Sequence, residues 1–192
     1  MSTIRRHDTK RCFSLKAIEW KRRQGAAKDI AVGADDAIWV VGTNGIPFRW
    51  NGKGWSQIGS KAATRISVQP DGRPWITTAS GELFRWHCVY WQKMGLPTGE
   101  KAQDVGAGAD GTVAITTTSQ KILVFQKDGT WKQQPGQAVR ISVGPKGQLW
   151  AVNKEGNVYE KTDRVSAWKK HSAKPANDIA VTATRTTQSA KQ

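Results

Sequence analysis

Two short segments of the sequence place a tryptophan between a cationic and a polar side chain. They are Arg49-Trp50-Asn51 and Arg85-Trp86-His87. An indole offers a flat apolar face on which the C–H face of a sugar ring can stack, and neighbouring planar polar groups can hydrogen-bond its hydroxyls. An arginine at this place can also pair with an anion. The pattern therefore favours the recognition of carbohydrate, including anionic carbohydrate.

The other residue types that perform chemistry are scattered. The histidines His7, His87 and His171 are far apart in the sequence, and the cysteines Cys12 and Cys88 form neither a CxxC motif nor a disulfide framework. Most acidic residues stand in short turn sequences, where a carboxylate shapes the chain reversal. Catalysis would need a partnered histidine, paired carboxylates or a metal cluster. We therefore expect neither an enzyme nor a bound metal or cofactor.

The charge of the chain is strongly positive. Lysine and arginine number 30 against 15 aspartate and glutamate, which gives a net charge of +15. Residues 1–27 carry eight of these cations, among them Lys21, Arg22 and Arg23, which we expect to bind anions. A field of this sign attracts phosphate, sulfate and carboxylate groups and raises association rates. Anionic glycans, anionic membranes, RNA and a larger assembly are all compatible partners, although no RNA-binding motif accompanies the charge.

Membrane and targeting signals are weak. No stretch reaches the roughly eighteen apolar residues of a membrane-spanning helix, so no transmembrane segment is predicted. The first residues lack the pattern of a secretory signal peptide, which favours a cytoplasmic location. The basic start MSTIRRHDTKR is compatible with mitochondrial targeting, but Asp8 and Glu19 count against it. Export by a non-classical route stays open.

The elements that must position these residues are copies of one unit. Tryptophans recur at intervals of 35, 36, 40 and 37 residues: Trp20, Trp55, Trp91, Trp131 and Trp168. Between them similar phrases return in the same order, such as KDIAVGADD and TRISVQPDG, then AIWVVGTNG and RPWITTASG, then IPFRW and ELFRW. Four units are complete: 28–58, 64–94, 102–134 and 139–171.

Each unit holds four short apolar runs separated by Asp-Gly, Asn-Gly, Ser-Gly or Lys-Gly pairs. Such runs predict strands joined by tight hairpins, and four strands per repeat of this length predict the blade of a β-propeller. The first run has a small central residue in every copy: Ala31, Ser67, Gly106, Ser142 and Ala180. Because blades crowd together near the axis, we expect that run to be the innermost strand. The predicted fold is all-β, with four-stranded antiparallel blades.

The two termini supply the pieces of a further blade. Residues 177–181 repeat the innermost strand, and residues 1–19 can provide outer strands. Together they predict a fifth blade that closes the ring and removes exposed strand edges. The chain then divides into a basic segment (1–19) that contributes to the closing blade, a propeller (20–182) and a polar tail (183–192).

Charge alternates at the residue that precedes each innermost strand: Asp29, Arg65, Asp104, Arg140 and Asp178. In a closed ring this order places opposite charges on neighbouring blades, with Asp178 beside Asp29 as the one like-charge pair. Ion pairs between blades explain the pattern, and a chance alternation of solvated residues explains it as well.

On these residues the sequence resembles the tectonin β-propeller repeat family. The shared phrase runs from a tryptophan through [DR]-I-[AS]-V, an Asp-Gly turn and a second tryptophan to G-x-[ILV]-[YF], and it spans about residues 20–181. The resemblance implies a propeller that binds glycans or bacterial lipopolysaccharide, as tectonin-type lectins do, although other members are scaffolds in membrane traffic. Two features depart from the family. Tectonin-type lectins have about six blades, and Ala114 stands here where other units have Trp39, Trp75 and Trp150.

We predict a lectin-like function through repeated weak sites, whose repetition supplies avidity. The alternative is a non-enzymatic scaffold that binds protein, RNA or anionic membrane through its basic surface. Trp39, Trp75 and Trp150 lie at strand centres, which favours packing between blades.

Trp50 and Trp86 are the better candidates for stacking platforms. In the other complete units their column holds Phe125 and Lys161, so the fold does not require tryptophan there. The competing interpretation is that both indoles only cover the edges of their blades.

Overall fold

The computed structural model describes residues 23–33, 35–163, 166–171 and 174–181. Within these ranges the chain forms sixteen β-strands and no helix. The strands make four sheets of four, each an antiparallel meander in which chain neighbours pair. The all-β class and the four-stranded blades that the repeats predict are confirmed.

The sheets are blades I to IV in chain order. Blade I contains β1 (Ala27–Val32), β2 (Ile38–Gly42), β3 (Pro47–Trp50) and β4 (Trp55–Gln57). Blade II contains β5 (Arg65–Val68), β6 (Pro74–Thr77), β7 (Leu83–His87) and β8 (Tyr90–Met94). Blade III contains β9 (Ala102–Ala107), β10 (Val113–Thr117), β11 (Ile122–Phe125) and β12 (Trp131–Gln134). Blade IV contains β13 (Arg140–Val143), β14 (Leu149–Val152), β15 (Val158–Lys161) and β16 (Lys169–His171).

Tight turns set the register within each blade. Between β5 and β6, Gly72 has a φ of 74°, a conformation that glycine adopts without steric cost. Asp71 Oδ1 accepts a hydrogen bond from the backbone N–H of Arg73 at 3.1 Å and so shapes the same turn. In the register that follows along the blade, Trp75 lies directly opposite Arg85.

The innermost strands β1, β5, β9 and β13 lie side by side around the axis. A Cβ atom on Gly106 would lie 3.0 Å from Cα of Ser142, so a larger residue would have to push β9 and β13 apart. Small polar groups join the strands: the Ser67 hydroxyl accepts a hydrogen bond from the backbone N–H of Ala107 at 2.9 Å. The prediction that the first strand of each unit is innermost is confirmed for these four blades.

Apolar cores fill the spaces between neighbouring blades. Trp39 of blade I is 2% exposed and lies in the first core, with Ile66 of blade II. Trp75 of blade II is fully buried in the second core, with Val105 of blade III. Ala114 takes the tryptophan's place in the third core, between blades III and IV. The predicted packing role of Trp39 and Trp75 is confirmed.

The described residues form four blades, not the five that the sequence predicts. Residues 177–181, predicted as the innermost strand of a fifth blade, run beside β13 but belong to no sheet. Their contact with blade IV includes a hydrogen bond from the backbone N–H of Val181 to the Ser142 hydroxyl at 3.0 Å. A segment counts as a strand only when its backbone is hydrogen-bonded to a neighbouring strand. The neighbours predicted for residues 177–181 belong to residues 1–19, which lie outside the described residues.

Trp150 of blade IV is less buried than its counterparts Trp39 and Trp75. Trp150 is only half-buried, and its ring stacks on His171 with centroids 4.9 Å apart. His171 Nε2 in turn lies 2.8 Å from Glu160 Oε2. Among the described residues Trp150 packs against its own blade. The blade predicted to face it draws on residues 1–19, which lie outside the described residues, so its packing between blades stays a prediction.

The alternating charges converge near the axis. Arg65 Nη1 lies 3.0 Å from Asp178 and 3.7 Å from Asp29, and Arg65 Nε lies 4.0 Å from Asp104. Arg140 Nε lies 4.0 Å from Asp178. Three of the four ion pairs that the alternation predicts between neighbouring blades are therefore formed, and Arg65, which also pairs with Asp178, is at their centre.

One of these carboxyls should make stability depend on pH. Burial raises the pKa of Asp104 to about 6, although the Ile141 N–H and Arg65 oppose the rise. A carboxyl whose pKa is raised in the folded state stabilises the fold at pH values below its ordinary pKa of 3.8. This stabilisation is lost as the pH rises through about 6. We expect Asp104→Asn to remove this slope, worth about 3 kcal/mol in the free energy of unfolding. Urea denaturation at several pH values measures it.

The matched control for that experiment is Asp128→Asn. Hydrogen bonds with Thr130 lower the pKa of Asp128. The contribution of Asp128 to stability therefore changes only at pH values below its ordinary pKa of 3.8. Equal slopes between pH about 4 and about 6 in the wild type and Asp104→Asn would show that Asp104 does not titrate there.

Candidate functional site

Trp50 is the last residue of β3 and Trp86 the next-to-last residue of β7, and each contacts the tryptophan at or near the start of the next strand. The ring centroids of Trp50 and Trp55 are 5.2 Å apart with planes at 68°. Those of Trp86 and Trp91 are 5.0 Å apart at 61°. All four rings are half-buried, so both pairs combine edge-to-face packing with accessible indole surface on the outer part of a blade.

The repeated tryptophans of the sequence have a structural task. In each of the four described blades the indole N–H donates to a carbonyl of the linker that precedes that blade. The pairs are Trp55 with Gln24 at 2.8 Å, Trp91 with Ile58 at 3.2 Å, Trp131 with Gly95 at 2.7 Å and Trp168 with Pro135 at 2.6 Å. The regular spacing of these tryptophans therefore reflects blade assembly.

Arg49 and Arg85 lie on the opposite faces of their strands from Trp50 and Trp86. Successive side chains of a strand point to opposite faces, and the structure places the Arg49 guanidinium over the Trp39 ring, 5.7 Å from its centroid. Arg85 lies at the same distance over Trp75 and pairs with Asp71 at 3.1 Å. Each arginine is therefore separated from the tryptophan next to it in sequence.

Arg49 and Trp86 both face the boundary between blades I and II. Arg49 covers Trp39, and Trp39 lies in the core that also contains Phe84. Trp91 of blade II packs against this core. Trp86 lies on the Phe84 face of its strand and pairs with Trp91. Arg49 of blade I and Trp86 of blade II therefore lie on the two blade faces that meet at the first core. The alternation of side chains along a strand is the sequence signal that points to this pairing.

Asn51 lies in the hairpin that follows β3, and His87 is the last residue of β7. Asn51 Oδ1 accepts hydrogen bonds from the backbone N–H groups of Lys53 and Gly54 at 2.9 and 2.8 Å, and its amide donates to the Ser56 hydroxyl at 3.0 Å. Asn51 therefore shapes its turn. His87 is exposed and stacks beside Tyr90 with ring centroids 5.3 Å apart.

Cations lie over aromatic rings on both blades that carry a tryptophan pair. The Arg23 guanidinium is 4.7 Å from the centroid of the Trp50 ring, a cation–π contact. The Lys61 ammonium is 4.5 Å from the centroid of Phe84, on the face that carries Trp86. Lys21 and Arg22, the other predicted anion-binding residues, lie outside the described residues. Aromatic surface with a cation above it thus occurs on blades I and II.

The comparisons with known proteins agree with this repeat architecture. Residues 26–181 match the tectonin domain. The chain belongs to the tectonin family. No curated protein matches the sequence.

Solved structures share the fold of this tectonin protein at low identity. The extracellular domain of a putative one-component system from B. thetaiotaomicron has a TM-score of 0.58 at 12% identity, covering 84% of this chain and 25% of that one. The β-propeller domain of Myceliophteria thermophila Cps50 (Swd1) has a TM-score of 0.59 at 8% identity, covering 75% and 54%. YCF48 bound to D1 peptide has a TM-score of 0.51 at 15% identity, covering 80% and 56%. The tectonin chain thus spans from a quarter to just over half of these proteins, and the likeness concerns the fold alone.

Two kinds of site are missing from the part of the tectonin chain that the structure describes. It contains no group of three or more histidine, cysteine, aspartate or glutamate side chains arranged to hold a metal ion. It also contains no helix long and apolar enough to cross a membrane. The free thiol of Cys88 is exposed, at a hairpin position with a φ of 62°.

Proposed function

We propose that this tectonin protein is a non-enzymatic lectin that binds glycans in the spaces between its blades. The observation that carries the proposal is the repetition of a half-buried tryptophan pair, Trp50 with Trp55 and Trp86 with Trp91, at the same place on two blades. An accessible indole face in a groove suits the C–H face of a pyranose. Weak sites repeated around one ring bind a branched or polymeric glycan with avidity.

Anionic glycans, including lipopolysaccharide, are the preferred partners in this proposal. The net charge of +15 attracts them, and Arg23 and Lys61 lie over aromatic rings of the two blades. Arg49 adds a cation on the face of blade I that packs against blade II, and Arg85 holds the corresponding place on blade II. Lys21 and Arg22, beside Arg23 in the sequence, add mainly to the association rate.

A glycan array at low and at high salt tests the proposal. Stacking and hydrogen bonding survive added salt, whereas attraction to exposed charges is screened. We expect glycan binding that persists at high salt, with anionic glycans stronger than neutral ones at low salt. Binding that disappears entirely at high salt, or the absence of any glycan ligand, would contradict a lectin function.

Trp50→Ala and Trp86→Ala should each weaken glycan binding about tenfold, because each removes one stacking surface worth about 1–1.5 kcal/mol. The melting temperature should change little, since both rings are only half-buried. Titration calorimetry with the best array ligand, together with a thermal melt, measures both quantities.

Trp91→Ala is the contrasting variant. It removes the ring that donates to the Ile58 carbonyl, so stability should fall as well as binding. If Trp50→Ala and Trp86→Ala destabilise the protein as much as Trp91→Ala does, or leave glycan binding unchanged, both residues belong to the packing of the blades.

A scaffold function is the second candidate, and one observation favours it. The hairpin between β7 and β8 exposes Val89 at 81% and Tyr90 at 52%, where the corresponding hairpin of blade I has Asn51-Gly52-Lys53-Gly54. An exposed apolar tip is typical of a contact with another protein. Val89→Ser should abolish binding to such a protein partner and leave glycan binding intact.

We also propose that the ring has a fifth blade, as predicted from the sequence. Ala176 supports this, because its N–H donates to the Gly156 carbonyl at 2.9 Å. The residues that lead into β5, β9 and β13 make the same bond to the preceding blade: Ala63 with Gly45, Ala102 with Gly81 and Ala138 with Gln120. The chain therefore leaves blade IV along the path by which it enters blades II, III and IV.

The open face of blade I is the second support for a fifth blade. Ile30 and Val32 are 62% and 58% exposed, whereas their counterparts on blades II and IV are 3–4% exposed: Ile66, Val68, Ile141 and Val143. They belong to a groove of about 640 Å³ that also includes Phe48 and Trp50. The described chain starts at Arg23, at this groove, which leaves residues 1–19 within reach to cover it.

A further inference from the structure

A second cavity lies between blades III and IV, away from Trp50 and Trp86. It has a volume of about 320 Å³, at the lower end of the range in which proteins bind small ligands. Tyr159 and Trp168 supply aromatic surface, and Gln137 and Asn153 supply amides. Ile122 and Ala151 complete the apolar part of its wall.

The cavity exists because blade IV lacks the tryptophan of blades I and II. In blade II that tryptophan is Trp86, whose ring reaches to 3.4 Å from where a Cβ atom on Gly59 would stand, and so fills the space beside the linker. Its counterpart in blade IV is Lys161, which is buried and donates from Nζ to the Ser166 carbonyl. Gly59 is bordered by both Trp91 and Trp86, whereas the corresponding linker residue Gly136 is bordered only by Trp168, the counterpart of Trp91.

One amide and one ring of this cavity are held in place by hydrogen bonds. Asn153 Oδ1 accepts a hydrogen bond from the backbone N–H of Asn157 at 2.8 Å, which fixes the amide. Trp168 is fixed by its bond to the Pro135 carbonyl at 2.6 Å. The Asn153 amide is a planar hydrogen-bonding group, and the Trp168 indole is a flat ring. Both are therefore positioned before any ligand arrives, which lowers the entropy cost of binding.

The lining differs in charge from the rest of the molecule. None of the seven lining residues is Asp, Glu, Lys, Arg or His, although the chain carries a net charge of +15. Amide, phenol and indole groups hydrogen-bond hydroxyls without offering a counter-charge, and two aromatic rings suit a C–H face. This chemistry selects an uncharged ligand that has both hydroxyls and an apolar face.

We propose that the cavity between blades III and IV binds one neutral pyranose residue. This inference rests on the proposed lectin function and gives it a second kind of subsite. An anionic glycan would then be held by charge at blades I and II, while a neutral sugar of the same chain enters this cavity.

Saturation-transfer NMR with the methyl glycosides of glucose, galactose, mannose, N-acetylglucosamine and N-acetylgalactosamine tests the proposal on the full chain. We expect at least one to bind with millimolar affinity that salt does not change. Gln137→Ala and Tyr159→Phe should each weaken it about fivefold or more, the loss of one hydrogen bond. Lys101→Ala is the matched control, because Lys101 precedes Ala102 as Gln137 precedes Ala138, at equivalent points of their linkers.

The outcomes separate this proposal from the lectin function. If neutral glycosides bind but Gln137→Ala and Tyr159→Phe have no effect while Trp86→Ala does, the cavity is not the site and the lectin function stands. If none of the five glycosides binds while anionic glycans do, the neutral subsite is wrong. If no glycan binds at all, both proposals fail.

Discussion

Deleting residues 1–19 should lower the melting temperature by about 10 °C or more. The proposed fifth blade would lose its outer strands, and the apolar face of blade I would meet water. Ile30 and Val32 are the most exposed part of that face, and covering two such side chains is worth about 3–6 kcal/mol. For a chain of this size 1 kcal/mol corresponds to about 2–4 °C. Differential scanning calorimetry of the truncated and full chains measures the change.

Deletion of residues 183–192 is the control for the N-terminal truncation. That segment is the polar tail, and its removal should leave the melting temperature unchanged. If both truncations melt like the full chain, residues 1–19 do not cover blade I and the fifth blade is wrong. A second test is quenching of tryptophan fluorescence by acrylamide. Removal of residues 1–19 should make Trp50, at the edge of the groove, more accessible.

Arg65→Met should cost about 3–5 kcal/mol in the free energy of unfolding, the second large effect. The substitution keeps the apolar stem but removes the charge that lies within 4.0 Å of Asp29, Asp104 and Asp178. Leaving a buried carboxylate without its partner is costly. Asp104 is the critical one, since its side chain is 8% exposed against 56% for Asp178.

The pH dependence of Arg65→Met separates charge from packing. Without Arg65 the pKa of Asp104 should rise further above about 6, so lowering the pH to about 5 should recover much of the loss by protonation. The double variant Arg65→Met, Asp104→Asn should be more stable than Arg65→Met alone at neutral pH. Equal destabilisation at both pH values would mean that Arg65 acts through packing of its stem.

The architecture of the blades was predictable because its signals are local. Turn pairs such as Asp71-Gly72 and the small residue at the centre of each first strand act over a few positions, and the structure uses them as the sequence suggests. The alternating charges were also readable, since each lies at the same point of its unit. The central place of Arg65 was not, because its bond to Asp178 crosses from one blade to a distant segment.

The candidate site was predictable in composition but not in arrangement. Arg49 and Trp50 are adjacent in sequence, yet the alternation of a strand sends them to different spaces between blades, and Arg49 covers Trp39 instead. The cavity beside Tyr159 and Trp168 had no positive signal, because it results from a residue that is absent: Lys161 stands where blades I and II have tryptophan. The cavity becomes visible only when blades III and IV are packed against each other.

The bond between Arg65 and Asp178 also sets the order in which the molecule can assemble. It joins residues 113 positions apart, whereas each blade pairs strands that are neighbours along the chain. Nearby strands find one another quickly, and distant ends meet slowly because their loop entropy must be overcome first. Blades should therefore fold in sequence and the ring should close last. Until then, the C-terminal segment of one molecule can dock on Arg65 of another, so concentrated refolding should yield interlinked, domain-swapped oligomers.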